Sequence, residues 1–415
     1  MANEIGLDSI VMKILFIHQN FPGQFFYLAP ALAQRGHDVK ALRLTGEEVA
    51  GVQSFVYELE RGSTPDIHPW LKNFETQVVR GQAVLGKALE LKKEGYIPDV
   101  IVAHHGWGET LFIKEVWPDT PLGVYCEFYY HAHGYDLDFD PEFYVKDNLA
   151  SAMIGLKNIT NRLNFDFADA GISPTLWQKN SFPEFFRDRI SVIHEGVDTN
   201  LFKPNPTASL VLNGHLELKK GDEIITFVNR NLEPFRGFHS FMRSLPKILE
   251  ARPNAHVLIV GGEGVSYGQQ PPSGQSWRSY FLNELEGQLD LSRVHFLGHI
   301  SYPVFLTLVQ LSMVHIYLTY PFVLSWSCIE AMSAGCAIVG SDTPPVREVI
   351  THNKTGRLVN FFSTEEISSQ VIDLIKNNSE RERLGLAARQ FAIERYDRIS
   401  VCLPRQVNWV ERKFI

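Results

Sequence analysis

Two arginines six residues apart are the first sign of chemistry in this chain. In FVNRNLEPFRGF, residues 227–238, a strand ends directly before Arg230, and Arg236 follows beside Gly237. Two guanidinium groups at a strand end suit two phosphates, and fixed cations there would stabilise charge building on a departing diphosphate oxygen. Solvated surface arginines are the competing reading of this segment alone. Next, AHVLIVGGEG, residues 255–264, is a buried-strand pattern running into glycines, of which Gly262 would let backbone approach a ligand. A plain strand-to-helix turn fits it equally, and the spacing is not that of a dinucleotide site.

A third stretch, YPFVLSWSCIEAMSAGCAIVGSD, residues 320–342, reads as a polar loop, a small-residue helix, a stop at Gly335 and a strand. Glu330 stands there among apolar neighbours and needs a partner. A ribose diol offers two hydroxyl donors, and a local cap or pair is the alternative. The N–H groups of Ser325, Trp326 and Ser327 at the helix start would face a phosphate.

In the first half, His104 and His105 follow the apolar run 100–103, and YCEFYY, residues 125–130, places Glu127 just after another such run. These positions suit a hydroxyl-bearing ligand, as does the segment YYHAHGYDLDFD, residues 129–140, with Tyr129 and His131. Rings stack on sugar faces and carboxylates accept hydroxyls; buried histidines and a mobile loop are the bland alternatives. No His, Cys, Asp or Glu spacing matches a metal site.

The elements that must position these groups alternate regularly. Apolar, β-branched runs at 12–18, 38–42, 100–103, 122–126, 170–173 and 190–193 are separated by helix-length stretches; after a linker-like segment, 203–214, a second cycle runs through 224–228, 255–260, 294–296, 314–317 and 337–340. The alternation predicts an α/β protein of two Rossmann-like, doubly wound domains, with ligands beyond the carboxyl ends of the strands. The expected domains are 1–205 and 206–394, with 395–415 packing back on the first; facing sheets would leave a central cleft.

The 415 residues suit two cores. Residues 1–200 carry 17 Lys and Arg against 27 Asp and Glu, a net −10, and the remainder carries 22 against 20, a net +2. Nucleic acid is therefore not an expected partner, membrane contact is expected to be peripheral at most, and the near-neutral second half is the better host for a diphosphate. With no long apolar stretch and no charged-then-apolar leader, a cytoplasmic protein is expected. Cys126, Cys328, Cys336 and Cys402 read as reduced core thiols.

The ordered set RNLEPFRG, LIVGGEG, FLGHI, EAMSAGCAIVGSD and TGRLV, preceded by MKILFIHQNFPGQF and VIHEGVDT, resembles the retaining glycosyltransferases of family 4, which have the GT-B fold. The resemblance implies transfer of a hexosyl group from a nucleoside-diphosphate sugar, UDP ahead of GDP, to a hydroxyl of a glycan, glycolipid or small molecule. It implies no metal and no cofactor, and a place in polysaccharide or glycolipid synthesis. Arg230 and Arg236 match the family's arginine and lysine on the donor diphosphate, with Glu330 on the ribose. Residues 298–300, including His299 and Ile300, match the loop that meets the base, and Gly23 the glycine near the donor phosphates. Phe322 stands where the family has a sugar-contacting glutamate, eight residues before Glu330. Glu127 falls where the family has a histidine, with His131 or His133 the alternatives; it would accept a sugar hydroxyl, act as a base or act as a nucleophile. A partner subunit that keeps only the nucleotide site is the rival function.

Overall fold

In the computed structural model, residues 11–144 and 148–414 are described. The chain clusters into two units. One comprises residues 1–130, 146–195 and 402–415, the other residues 131–145 and 196–401.

The first unit holds a seven-stranded, all-parallel sheet in the spatial order Val52–Val56, Asp38–Arg43, Lys13–Ile17, Val100–Ala103, Leu122–Tyr125, Ala170–Ser173, Ile190–Val192. Ile14 and Phe16 fill the core on one face, Leu15 and Ile17 the core on the other. Such two-sided burial is why parallel strands read as continuous apolar runs. The strand Val52–Val56, absent from the sequence reading, is an edge strand whose Gln53 and Ser54 dilute the pattern. The helix Leu403–Glu411 also lies in this unit. Trp409 is buried, the Glu411 carboxylate accepts Arg35 Nε at 2.6 Å and Nη2 at 3.0 Å, and a side chain at Gly123 would strike Trp409 and Phe414.

The second unit repeats the arrangement with six parallel strands: Val294–Gly298, His256–Gly262, Ile224–Asn231, Val314–Tyr317, Ala337–Ser341, Arg357–Val359. The three-residue edge strand Arg357–Val359 is too short to carry a periodic signal. In each sheet the first strand lies beside the fourth, so the order reverses there. This switch point leaves the loops after those two strands side by side, the usual ligand position in an open α/β sheet.

The expected boundary at 205 moves to 195/196 because residues 196–205 pack on the second unit: Val197 and Phe202 join its core, and Ser333 Oγ and Arg389 Nη1 donate to the Phe202 carbonyl at 2.6 and 3.0 Å. The expected linker 203–214 is partly a hairpin. Ser209–Leu212 pairs antiparallel with Leu216–Lys219 across Asn213 and Gly214, both at positive φ. An Asn-Gly pair between apolar residues is a strong hairpin signal.

Replacing Trp409 by Ala should cost about 3–5 kcal/mol, as for other fully buried aromatics. The lowered denaturant midpoint measures it; an unchanged midpoint would show that the last helix contributes no core.

Candidate functional site

In the second unit, the strand Ile224–Asn231 runs through Arg230 rather than stopping before it, and the exposed Arg230 guanidinium has no partner among the described residues. The chain then makes a short 3₁₀ turn, Pro234–Arg236, closed by Gly237 at φ +71. Only glycine fits there, because a Cβ would lie 2.3 Å from the Leu318 Cβ. The turn drives Arg236 inward to 7% exposure. Its Nη1 donates to Thr319 Oγ1 at 2.8 Å and to the Val323 carbonyl at 3.0 Å, both in the loop after the fourth strand. The guanidinium lies 5.2 Å from the Tyr267 ring centroid and 5.9 Å from that of Phe322. No carboxylate among the described residues pairs with it. A buried cation that meets only neutral acceptors and rings is an anion site in waiting.

The acid between the two arginines is used elsewhere. Glu233 is buried, and its carboxylate accepts the backbone N–H groups of Ser266, Tyr267 and Gly268 at 3.0–3.3 Å. Asn231 Nδ2 donates to Ser266 Oγ at 2.7 Å. Together they hold the loop after His256–Gly262 and bring Tyr267 under Arg236. Gly262 lies against two side-chain tips: a Cβ there would come within 2.3 Å of His299 Nε2 and 2.7 Å of Asn231 Oδ1, so those side chains would have to shift. His299 itself is exposed, and Ile300 packs on the core.

Glu330 is buried on the helix Trp326–Ser333 and accepts Tyr302 O–H at 2.8 Å. Burial pushes its carboxyl up from 4.5 to about 7, against the smaller opposing pull of that hydrogen bond. The helix start is partly committed. Ser325 N–H donates to Tyr317 Oη at 2.8 Å and Ser327 N–H to Ser325 Oγ at 3.3 Å, which corrects the expectation that all three amides face a ligand. Trp326 is 38% exposed beside them. Phe322 is buried, with its ring 5.1 Å from Phe235 and 5.0 Å from Tyr267.

In the first unit, the loops after the strands Lys13–Ile17 and Val100–Ala103 bring His18 and His104 together, with ring centroids 5.4 Å apart. His104 stacks on Trp107 at 3.8 Å. Its Nδ1 accepts Gly106 N–H at 3.4 Å, and its Nε2 lies 3.5 Å from Glu127 Oε2. The Glu127 side chain is 39% exposed and its carbonyl accepts Gln178 Nε2 at 2.8 Å. Burial, and then His104, lower His18 to about 3; it is therefore neutral, bonded through Nε2 to Gln24 Oε1 at 2.7 Å. Gly23, at φ +47, makes room for this ring: a Cβ there would lie 2.2 Å from His18 Nε2.

Residues 35–202 match the model of the glycosyl transferase family 4 group, and residues 213–391 match that of the glycosyl transferases group 1. The chain belongs to the family 4 glycosyltransferases. It is 25% identical to spore coat protein SA of Bacillus subtilis over 215 residues, 50% of this chain and 54% of that one. It is 26% identical to a phosphatidyl-myo-inositol mannosyltransferase of Mycolicibacterium smegmatis over 49% of this chain and 47% of that one. The chain thus spans about half the length of the curated relatives it matches. Among solved structures, Anabaena Alr3699/HepE in complex with UDP-glucose aligns with TM-score 0.66 at 16% identity, covering 97% of this chain and all of that one. Sucrose-phosphate synthase of Thermosynechococcus elongatus aligns with TM-score 0.71 at 17% identity, covering 96% and 98%. The two sheets are those of the GT-B fold.

In this family 4 glycosyltransferase, Arg230, Arg236, Gly262, His299 and Glu330 belong to the second unit, and Gly23, His104 and Glu127 to the first. Two expected acceptor groups are turned inward. His105 is buried beside Phe165, and Tyr129 lies in the core with its Oη accepting Arg162 Nε at 2.9 Å, because aromatic burial outweighs exposure there. His131 stacks on Tyr135 at 3.9 Å, in the segment that packs with the second unit. Glu233, Asn231, Tyr302 and His18 were missed. Glu233 had a signal, a lone acid inside RNLEPFRG; Tyr302 had none, since its partner lies 28 residues on.

A folded pKa raised above the unfolded one means that the native state keeps a proton the unfolded chain has lost. Glu330 therefore lowers stability as pH rises from about 4.5 through about 7. Glu330→Gln should gain about 3 kcal/mol over the wild type across that window, read from denaturant melts. Parallel pH profiles for the two proteins would contradict the burial argument.

Proposed function

We propose that this chain is a retaining, metal-independent glycosyltransferase that moves a hexosyl group from a nucleoside-diphosphate sugar, UDP ahead of GDP, to an acceptor hydroxyl. The observation that carries the reading is Arg236, a buried guanidinium with no carboxylate partner among the described residues, which follows an unpaired Arg230 at a strand end. The two cations suit a departing diphosphate: as the acceptor oxygen bonds to the anomeric carbon and the carbon–phosphate oxygen bond breaks, charge grows where the guanidinium groups sit. The acceptor proton passes to a diphosphate oxygen, and configuration is kept. Glu330 takes the ribose hydroxyls in place of Tyr302. In the first unit, Glu127, with Oε2 3.5 Å from His104 Nε2, is assigned to hold the acceptor by accepting a hydrogen bond from one of its hydroxyls. A donor of this class is present in the Anabaena structure, described as a complex with UDP-glucose, and another relative is described as a GDP-mannose-dependent mannosyltransferase.

A second reading has its own observation. Phe322 occupies the position of the family's sugar-contacting glutamate and is 2% exposed within an aromatic cluster, so a partner subunit that binds nucleotide without turnover also fits. Incubation with UDP- and GDP-sugars, following nucleotide release with and without acceptors, separates the two. Transfer is expected, undiminished by EDTA. Arg236→Ala should lower turnover by two or more orders of magnitude, since it removes a charge-stabilising donor. Nucleotide binding without release would favour the subunit, and full activity of Arg236→Ala would remove the reading itself.

A further inference from the structure

The chain leaves the first unit after Tyr130, and residues 131–144 belong to the second unit. Its anchor is a buried acid. Asp140 is 2% exposed, and its Oδ2 accepts Tyr320 O–H at 2.6 Å and lies 3.2 Å from His239 Nε2. Those hydrogen bonds hold the carboxyl below the usual carboxylate range, against the burial that would raise it. Phe139 packs on Tyr320 at 5.1 Å, and Glu142 receives two hydrogen bonds of 2.7 Å from Arg243.

The two partners of Asp140 flank Arg236. His239 lies three residues after it, in the first turn of the helix Phe238–Ala251. Tyr320 belongs to the loop that receives Arg236 Nη1 at Thr319 and Val323. Tyr320 N–H donates to the Phe235 carbonyl at 3.1 Å, and its ring lies 4.8 Å from that of Phe235, the residue preceding Arg236. One carboxylate therefore pins the loop that accepts Arg236 and the helix that follows it. The acid lies 99 residues before His239 and 180 before Tyr320.

We propose that Asp140 is a positioning residue for Arg236, holding the guanidinium in register for a nucleoside diphosphate by fixing Tyr320 and His239. The proposal rests on the function assigned above, and it makes the 131–144 segment part of the donor site's support. A misplacement of about 1 Å can cost on the order of a hundredfold in rate.

The test uses the full chain, titrated calorimetrically with UDP and with GDP and assayed for nucleotide release from the corresponding sugars. Asp140→Ala should lower kcat about 10- to 100-fold and weaken nucleotide binding. Asp140→Asn, which keeps an acceptor oxygen, should stay within about threefold of wild type. Tyr320→Phe, which deletes one hydroxyl and keeps the aromatic packing, should reproduce most of the loss, and the double variant Asp140→Ala with Tyr320→Phe should fall little further. A brace that acts on stability alone would lower the melting temperature and leave kcat of the folded protein unchanged; that result, or additive losses in the double variant, overturns the proposal. If Asp140→Ala does not fold, Tyr320→Phe with wild-type kcat and affinity overturns it by itself. Arg236→Ala is the control: if it abolishes nucleotide binding while Asp140→Ala and Tyr320→Phe do not weaken it, only the positioning role fails. If Arg236→Ala binds as wild type, the assigned function fails with it.

Discussion

The second unit is organised around one unmet charge. Removing a guanidinium from water costs several kcal/mol, and Arg236 recovers part of that through two hydrogen bonds from Nη1 to neutral oxygens, each contributing roughly 1.5–3 kcal/mol to a charged group. Nε and Nη2 have no hydrogen-bond partner among the described residues, and no carboxylate neutralises the charge. The acids on the elements around it are engaged: Glu233 by three amides, Asp140 by Tyr320 and His239. A site whose nearby acids are satisfied and whose cation is not is complementary to an anion brought from outside.

Topology explains why this charge sits where it does. Parallel strands in the order three, two, one, four, five, six put the loop after Asn231 next to the loop after Tyr317. Arg236 bridges those two loops, and the positive φ of Gly237 lets the first fold tightly enough to reach the second. The same rule in the first unit places His18 against His104, with Glu127 beyond the next strand. One architecture thus places a buried cation between two loops in one unit and a histidine and carboxylate cluster in the other.

Local patterns carried most of the fold into the sequence. The apolar runs of both sheets, the glycine after Arg236 and the lone acid at 330 were legible because each is a short-range signal: strand burial, a tight turn, a carboxylate among apolar neighbours. Edge strands such as Val52–Val56 and Arg357–Val359 were not, since half-exposed strands lose the apolar run. What escaped entirely was non-local. Asp140 lies in YYHAHGYDLDFD, a string that reads as a polar, sugar-facing loop; its partners are 99 and 180 residues away, and no spacing announces them. Tyr129 and His105 erred in the opposite direction, as polar-tipped side chains that the core absorbed. The family resemblance supplied the roles proposed for Arg230, Arg236 and Glu330, and the structure added that Arg236 is buried without a carboxylate partner among the described residues.

The most direct measurement of the central claim is a crystal structure with UDP or GDP bound. The account predicts the diphosphate within hydrogen-bonding distance of the Arg236 and Arg230 guanidinium groups, with Glu330 accepting the ribose hydroxyls in place of Tyr302. A diphosphate bound elsewhere, with Arg236 Nη1 still on Thr319 and Val323 and no contact from Nε or Nη2, would contradict it.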